Sequence, residues 1–159
     1  MYRRLIKILH EIGAVGVLGA LAACVVLVAT ASTDSLVAYA ATRHGIASIS
    51  RWLLVPSLLL VIVSGLLSIV ATRPYMDAGW VWVKALLGIS MFEGTLVTIS
   101  ASSRRAAELS AQAAAGQADP SQLAEVLRTE WGGLWILIAV SVANIVIAVW
   151  RPRLSRRID

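Results

Sequence analysis

Charge is scarce in this chain. Charged residues make up 14% of its 159 positions, where a soluble domain carries about a quarter, so a water-facing surface of this size cannot be coated. Cysteine is scarcer still. Cys24 stands alone, which excludes an intrachain disulfide, and without a Cys-x-x-Cys-His run covalent c-type haem is excluded as well. There is no phosphate-binding loop and no Cys/His set with zinc spacing. Serine and threonine are plentiful, but the two histidines, His10 and His44, fall at opposite ends of the expected arrangement, so no hydrolase constellation forms. What the chain does have is apolar side chain, 58% of residues with a mean hydropathy of +0.80. The bilayer must therefore solvate most of the outside. Backbone polar groups in hydrocarbon have to be satisfied within each segment, which points to an all-α protein.

Four apolar segments approach the roughly 20 residues a crossing requires: about 5–30, 52–72, 80–101 and 131–150. The expected fold is a single domain over 1–159, a bundle of four transmembrane helices. The net charge of +5 is nearly all arginine. These arginines flank the apolar segments and form no stripe, so they are read as orientation signals and headgroup contacts, with no nucleic acid partner. With the N-terminus inside, Arg3, Arg4, Lys7, Arg73, Arg151, Arg153, Arg156 and Arg157 face the cytoplasm. Arg43, Arg51, Arg104, Arg105 and Arg128 face outward. The positive-inside rule then places both termini in the cytoplasm, as a multi-pass protein of a bacterial inner membrane. Trp80, Trp82, Trp150, Tyr2 and Tyr75 fall at the inner interface, and Trp52, Trp131 and Trp135 at the outer one, as aromatic belts do. Leu21-Ala22-Ala23-Cys24 resembles a lipoprotein cleavage box, but the apolar run continues to Ala29, so the first segment is read as a retained helix.

Two connections carry turn chemistry. Thr72-Arg73-Pro74-Tyr75 stops the second helix, because proline cannot continue it. The alanine-rich run from Arg104 to Ala115 has helical propensity, Gly116 ends it, and Asp119-Pro120 starts the next helix. Helices three and four are thus expected to extend outside the membrane as a hairpin. Residues 31–51 read either as a short interfacial helix or as an extension of helix two.

The residues that carry chemistry are the polar ones inside spans, because hydrocarbon penalises them. They are His10, Glu11, Lys84 and Glu93, with Asn144 in the last helix. At about 1.5 Å per residue, His10, Lys84 and Asn144 all fall within about 10 Å of the inner interface, so three helices place polar groups in one layer. Lys84 snorkelling to the headgroups and a wet start to helix one are the plain alternatives. Gly13, Gly16 and Gly19 recur along helix one, for close helix packing first and a flat ligand second. On helix three, Lys84, Gly88, Met91, Thr95 and Thr98 share one stripe, with Glu93 nearly opposite. Arg51 is the expected partner of Glu93.

A histidine in Leu-Ile-Lys-Ile-Leu-His10, then Arg51-Trp-Leu-Leu-Val-Pro56, Gly65 and Gly79-Trp-Val-Trp-Val-Lys84 together resemble a superfamily of small four-helix membrane proteins. It contains copper-resistance D-like proteins, the haem-containing protoporphyrinogen oxidase of bacteria, and predicted membrane proteins of unknown function. The resemblance implies b-type haem, with His10 as the iron ligand and Lys84 as a functional partner. The oxidase also has a histidine further along helix three, where this chain has Thr95, with Met91 and Glu93 near it. That departure makes the branch of unknown function the best fit.

The expectation is therefore a membrane redox protein that binds haem b in the inner leaflet. His10 would be its metal ligand, Lys84 and Asn144 would line the site, and Arg73 and Lys7 would pair with propionates. No catalytic residue is assigned. Two alternatives stay open: a small transporter or metal-handling protein using Met91 and Glu93, and a non-catalytic accessory subunit, either as a homo-oligomer or docked on a membrane partner through the outer hairpin.

Overall fold

A computed structural model describes residues 2–31, 35–117 and 120–150; the side chains of Leu36, Arg73, Val97, Thr98, Ala114, residues 120–124 and Leu127 lie outside what is described. Every regular element among the described residues is helical. In chain order they are α1 (Tyr2–Thr30), α2 (Leu36–Ile49), α3 (Val55–Ala71), the short α4 (Arg73–Met76), α5 (Gly79–Gly94), α6 (Ala101–Ala114) and α7 (Pro120–Trp150).

α2 and α3 form one continuous rod joined by a π-helical segment, Ser50–Leu54, so residues 36–49 extend helix two. The local cause is Pro56. In an unbroken α-helix it would have no N–H to offer the carbonyl four residues back, and its ring would press on it. A π turn widens the backbone at this point, and Val55 N–H bonds the carbonyl of Ser50, five residues earlier. α5 and α6 are joined in the same way by a second π segment, Thr95–Ser100, whose β-branched residues are weak helix formers. The two π segments meet, and the Ser50 and Ser100 hydroxyls are 2.9 Å apart.

The turns follow the expected chemistry. Thr72 leaves the helical region (φ −135°, ψ 94°) and ends α3. Gly116 takes a left-handed φ of 73°, while Gly116 N–H bonds Ala113 O at 3.0 Å and Gln117 N–H bonds Gln112 O at 2.8 Å. That closes α6 with a glycine cap, and Pro120 opens α7. Asp119, the expected cap of α7, lies outside the described residues.

α1 packs on α3, α3 on α5, α5 on α7 and α7 back on α1, while α2, α6 and the start of α7 stack as a second layer on one end. The tightest approach is between α1 and α3. A Cβ on Gly13 would sit 3.0 Å from the Ser57 carbonyl, and one on Gly16 would meet the Ser57 hydroxyl, whereas Gly19 faces open space. Gly13 and Gly16 thus serve helix packing. The buried core, including Leu21, Cys24, Ile46, Leu54, Ile99 and Leu134, runs from mid-height into that second layer. Large apolar side chains such as Val15, Val70 and Val149 are exposed, as lipid contact requires.

Among the described residues, three helical stretches are long and apolar enough to cross a membrane: Tyr2–Thr30, Val37–Ala71 and Arg128–Trp150. The four spans expected from hydropathy are thus three by this measure. The remaining stretch, α5, is comparably apolar but has only 16 α-helical residues before the second π segment begins, which is short for a crossing.

Candidate functional site

The four helices α1, α3, α5 and α7 part at the end opposite the second layer and enclose a cleft of about 590 Å³. Its lining includes His10, Lys84 and Asn144, together with Arg3, Lys7 and Glu11. The structure therefore brings together three of the four residues expected to bind a cofactor. Arg73, the fourth, begins α4 at the same end, but its side chain lies outside the described residues.

His10 is held by α3. Its Nδ1 is 3.1 Å from the Val61 carbonyl and 3.1 Å from the Ser64 hydroxyl. A carbonyl only accepts, so Nδ1 carries the proton and donates. The Ser64 hydroxyl gives its own proton to Leu60 O at 2.5 Å, which leaves its lone pairs for the imidazole. Nε2 then holds a lone pair, with no partner among the described residues. Gly65 lies beside the ring, where a Cβ would come into ordinary van der Waals contact with His10 Cε1 at 3.5 Å.

Lys84 is half-buried in the opposite wall and makes no hydrogen bond or salt bridge with the described residues. Gly88 and Met91, on the same stripe of α5, also line the cleft. Met91 is buried, and its Sδ receives the Ser141 hydroxyl at 3.8 Å. Thr95, next on the stripe, is fully buried, and its hydroxyl has no partner among the described residues. The floor is thus apolar and the mouth charged, with Arg3, Lys7 and the acid Glu11 exposed there. Among the described residues, no group of three or more His, Cys, Asp or Glu side chains converges as for a bare metal ion.

The Glu93–Arg51 pairing expected from the sequence does not form. Glu93 is exposed on α5, and the Arg51 guanidinium lies over the Trp52 ring, 5.3 Å from its centroid. Arg51 falls within the first π segment, whose extra residue per turn changes the direction in which it projects. The buried ion pair lies in the second layer instead, where Arg43 on α2 pairs with Glu130 on α7 and the Ser103 hydroxyl donates to the other Glu130 oxygen at 2.7 Å. All three side chains are essentially inaccessible, and Arg43 Nε has no partner among the described residues. From the sequence, Arg43 is counted only among the outward-facing arginines, and Glu130 stands one residue before the last apolar segment with no role assigned.

The comparisons with known proteins bear on the whole chain. A family described as predicted integral membrane protein (DUF2269) matches residues 4–152. The chain belongs to that family. Membership agrees with the helical spans and the exposed apolar surface: this is a multi-pass integral membrane protein of the DUF2269 family, seated in a lipid bilayer. No curated protein and no solved structure matches it.

Proposed function

We propose that this DUF2269 protein crosses a bacterial inner membrane four times with both termini in the cytoplasm, and that its inner-leaflet cleft binds a b-type haem in the service of membrane redox chemistry. The observation that carries the proposal is His10. Its protonated Nδ1 is fastened to a backbone carbonyl and its Nε2 is left as a free lone pair, which is how ligating histidines are oriented by their outer partners. The cleft volume lies within the usual range for ligand sites, about 300–1,000 Å³. The half-buried Lys84, which makes no salt bridge with the described residues, and the exposed Lys7 and Arg3 offer cations to propionates. The wall positions Ala14, Gly65, Ala85 and Gly88 leave room for a flat body. The resemblance of His10 and Lys84 to haem-superfamily positions points the same way.

The roles of the chain's own residues follow from this arrangement. His10 would supply an imidazole ligand, Val61 and Ser64 fix its tautomer, and Lys84 would hold a carboxylate, with Arg73 proposed from the sequence for a second. Met91 and the apolar floor exclude water. A haem bound there would supply one-electron chemistry at a potential tuned by its ligands and burial. The fourth crossing is α5, which is joined to α3 by the short α4 turn and packed between α3 and α7.

The test is an absorption spectrum of protein purified in mild detergent from haem-replete cells. A Soret band that sharpens and shifts on reduction is expected, lost in His10→Ala, weakened in Lys84→Ala and unchanged in His44→Ala, since His44 is exposed on α2. Absence of haem from wild type, or a band that survives His10→Ala and is lost in His44→Ala, refutes the reading. Reporter fusions at Gly116 and Arg153 check the topology and should report opposite sides.

A further inference from the structure

The cleft is walled on one side and open on the other. On α5 every lining residue is buried or half-buried, and on α3 Leu66 is the exposed exception. On α1 and α7 the pattern differs. Lys7, Glu11 and Leu18 line the cleft and are exposed, and so are Ile145 and Val149. The spacings of four and seven residues on α1, and of four on α7, put each set on a single helix face. Two continuous lips therefore border the cleft, one on the first helix and one on the last. Toward the second layer the same two helices contribute to one buried core, Leu21 and Cys24 from α1 with Leu134 and Leu137 from α7. They converge at one end and part at the other.

We propose that the gap between α1 and α7 is a lateral portal, through which the cleft takes a flat, anionic amphipath directly from the inner leaflet. The proposal rests on the reading of the cleft as a haem-type site and adds the route and the ligand class. The chemistry of the lips matches such a route. Leu18, Ile145 and Val149 give an apolar passage at acyl-chain depth, and Lys7 and Arg3 stand at headgroup level, where acidic groups travel, outnumbering the acid Glu11 on the same lip. A molecule following this path keeps its body in hydrocarbon and its carboxylates at the surface throughout.

The experiment uses the full-length protein in nanodiscs, with a nitroxide at Ala85→Cys in a Cys24→Ala background. Ala85 lines the cleft from the wall opposite the portal. Collisions are measured with molecular oxygen, which concentrates among acyl chains, and with a water-soluble nickel chelate. The portal predicts frequent oxygen collisions and few with nickel. Filling the lips with Leu18→Trp and Ile145→Trp should then lower the oxygen collisions several-fold. Dominant nickel collisions, or oxygen collisions indifferent to the two tryptophans, overturn the portal and assign entry to the aqueous end near Tyr75. In a second arm, haemin is presented in vesicles to the ligand-free protein without the nitroxide. The lip-filled variant should load about tenfold more slowly and reach the same final Soret band. Equal loading rates overturn the portal. Absence of any Soret band from both proteins refutes the haem reading, while the collision arm still decides the portal.

Discussion

The two ends of this molecule treat polar groups in opposite ways. In the second layer the charges are matched: Arg43, Glu130 and Ser103 are sealed together with no accessible surface. At the other end, His10 has one nitrogen committed and one free, and Lys84 is half-buried with no salt bridge to the described residues. A network whose charges are paired stabilises only the arrangement that contains it. An open one leaves bonding capacity for something else. The contrast separates a clasp from a site within a chain of few charges, and it does so without reference to any ligand.

The sharpest way to break the comparison is to open the clasp. Glu130→Ala leaves the Arg43 guanidinium buried and alone, and should cost about 3–5 kcal/mol, read as a large drop in thermal stability in detergent. The double variant Arg43→Met, Glu130→Leu removes both charges and should recover most of that loss. If the single and double variants are equally damaged, the pair is not the source of the effect. A smaller loss is expected where α1 meets α3. Gly16→Val forces a branched side chain against Ser57, an overpacking penalty of about 1–3 kcal/mol, whereas Gly19→Val, facing open space, should be close to neutral in the same melting assay. Equal effects at the two glycines would remove the case for close approach at Gly16. The smallest effect belongs to the contact between the two π segments. Ser50→Ala and Ser100→Ala should each cost about 0.6 kcal/mol, the average for interhelical hydrogen bonds in membrane proteins, and the double variant should cost little more than either alone.

Depth was legible in the sequence, and direction was not. Depth follows from a fixed rise per residue, so His10, Lys84 and Asn144 could be placed in one layer by counting from the span ends, and all three line the same cleft. The turn at Gly116 was legible because positive φ strongly favours glycine. The pairing of Glu93 with Arg51 failed because it depended on azimuth, and the π segment at Ser50–Leu54 resets the azimuth between Arg51 and the helix that follows. The Arg43–Glu130 pair was hidden for a different reason. Hydropathy assigns both residues to the watery side of a boundary, and only the docking of α2 against α6 and α7, across 87 positions of sequence, puts them in a core. The continuity of α2 with α3 was likewise undecided in the sequence, since Pro56 argues for a break and the π turn absorbs it.

The fit of Gly13 and Gly16 against Ser57 also bears on how the chain is made. α1 and α3 emerge from the ribosome first, and their fastening uses nothing from later in the sequence. The hydrogen bond from His10 to Val61 lies on this same seam, about one and a half turns of α3 from the Pro56 end. The imidazole can therefore be set in its final tautomer while α5 and α7 are still being synthesised. Biogenesis would then present half a binding site, already oriented, to the membrane before the helices that complete its walls arrive.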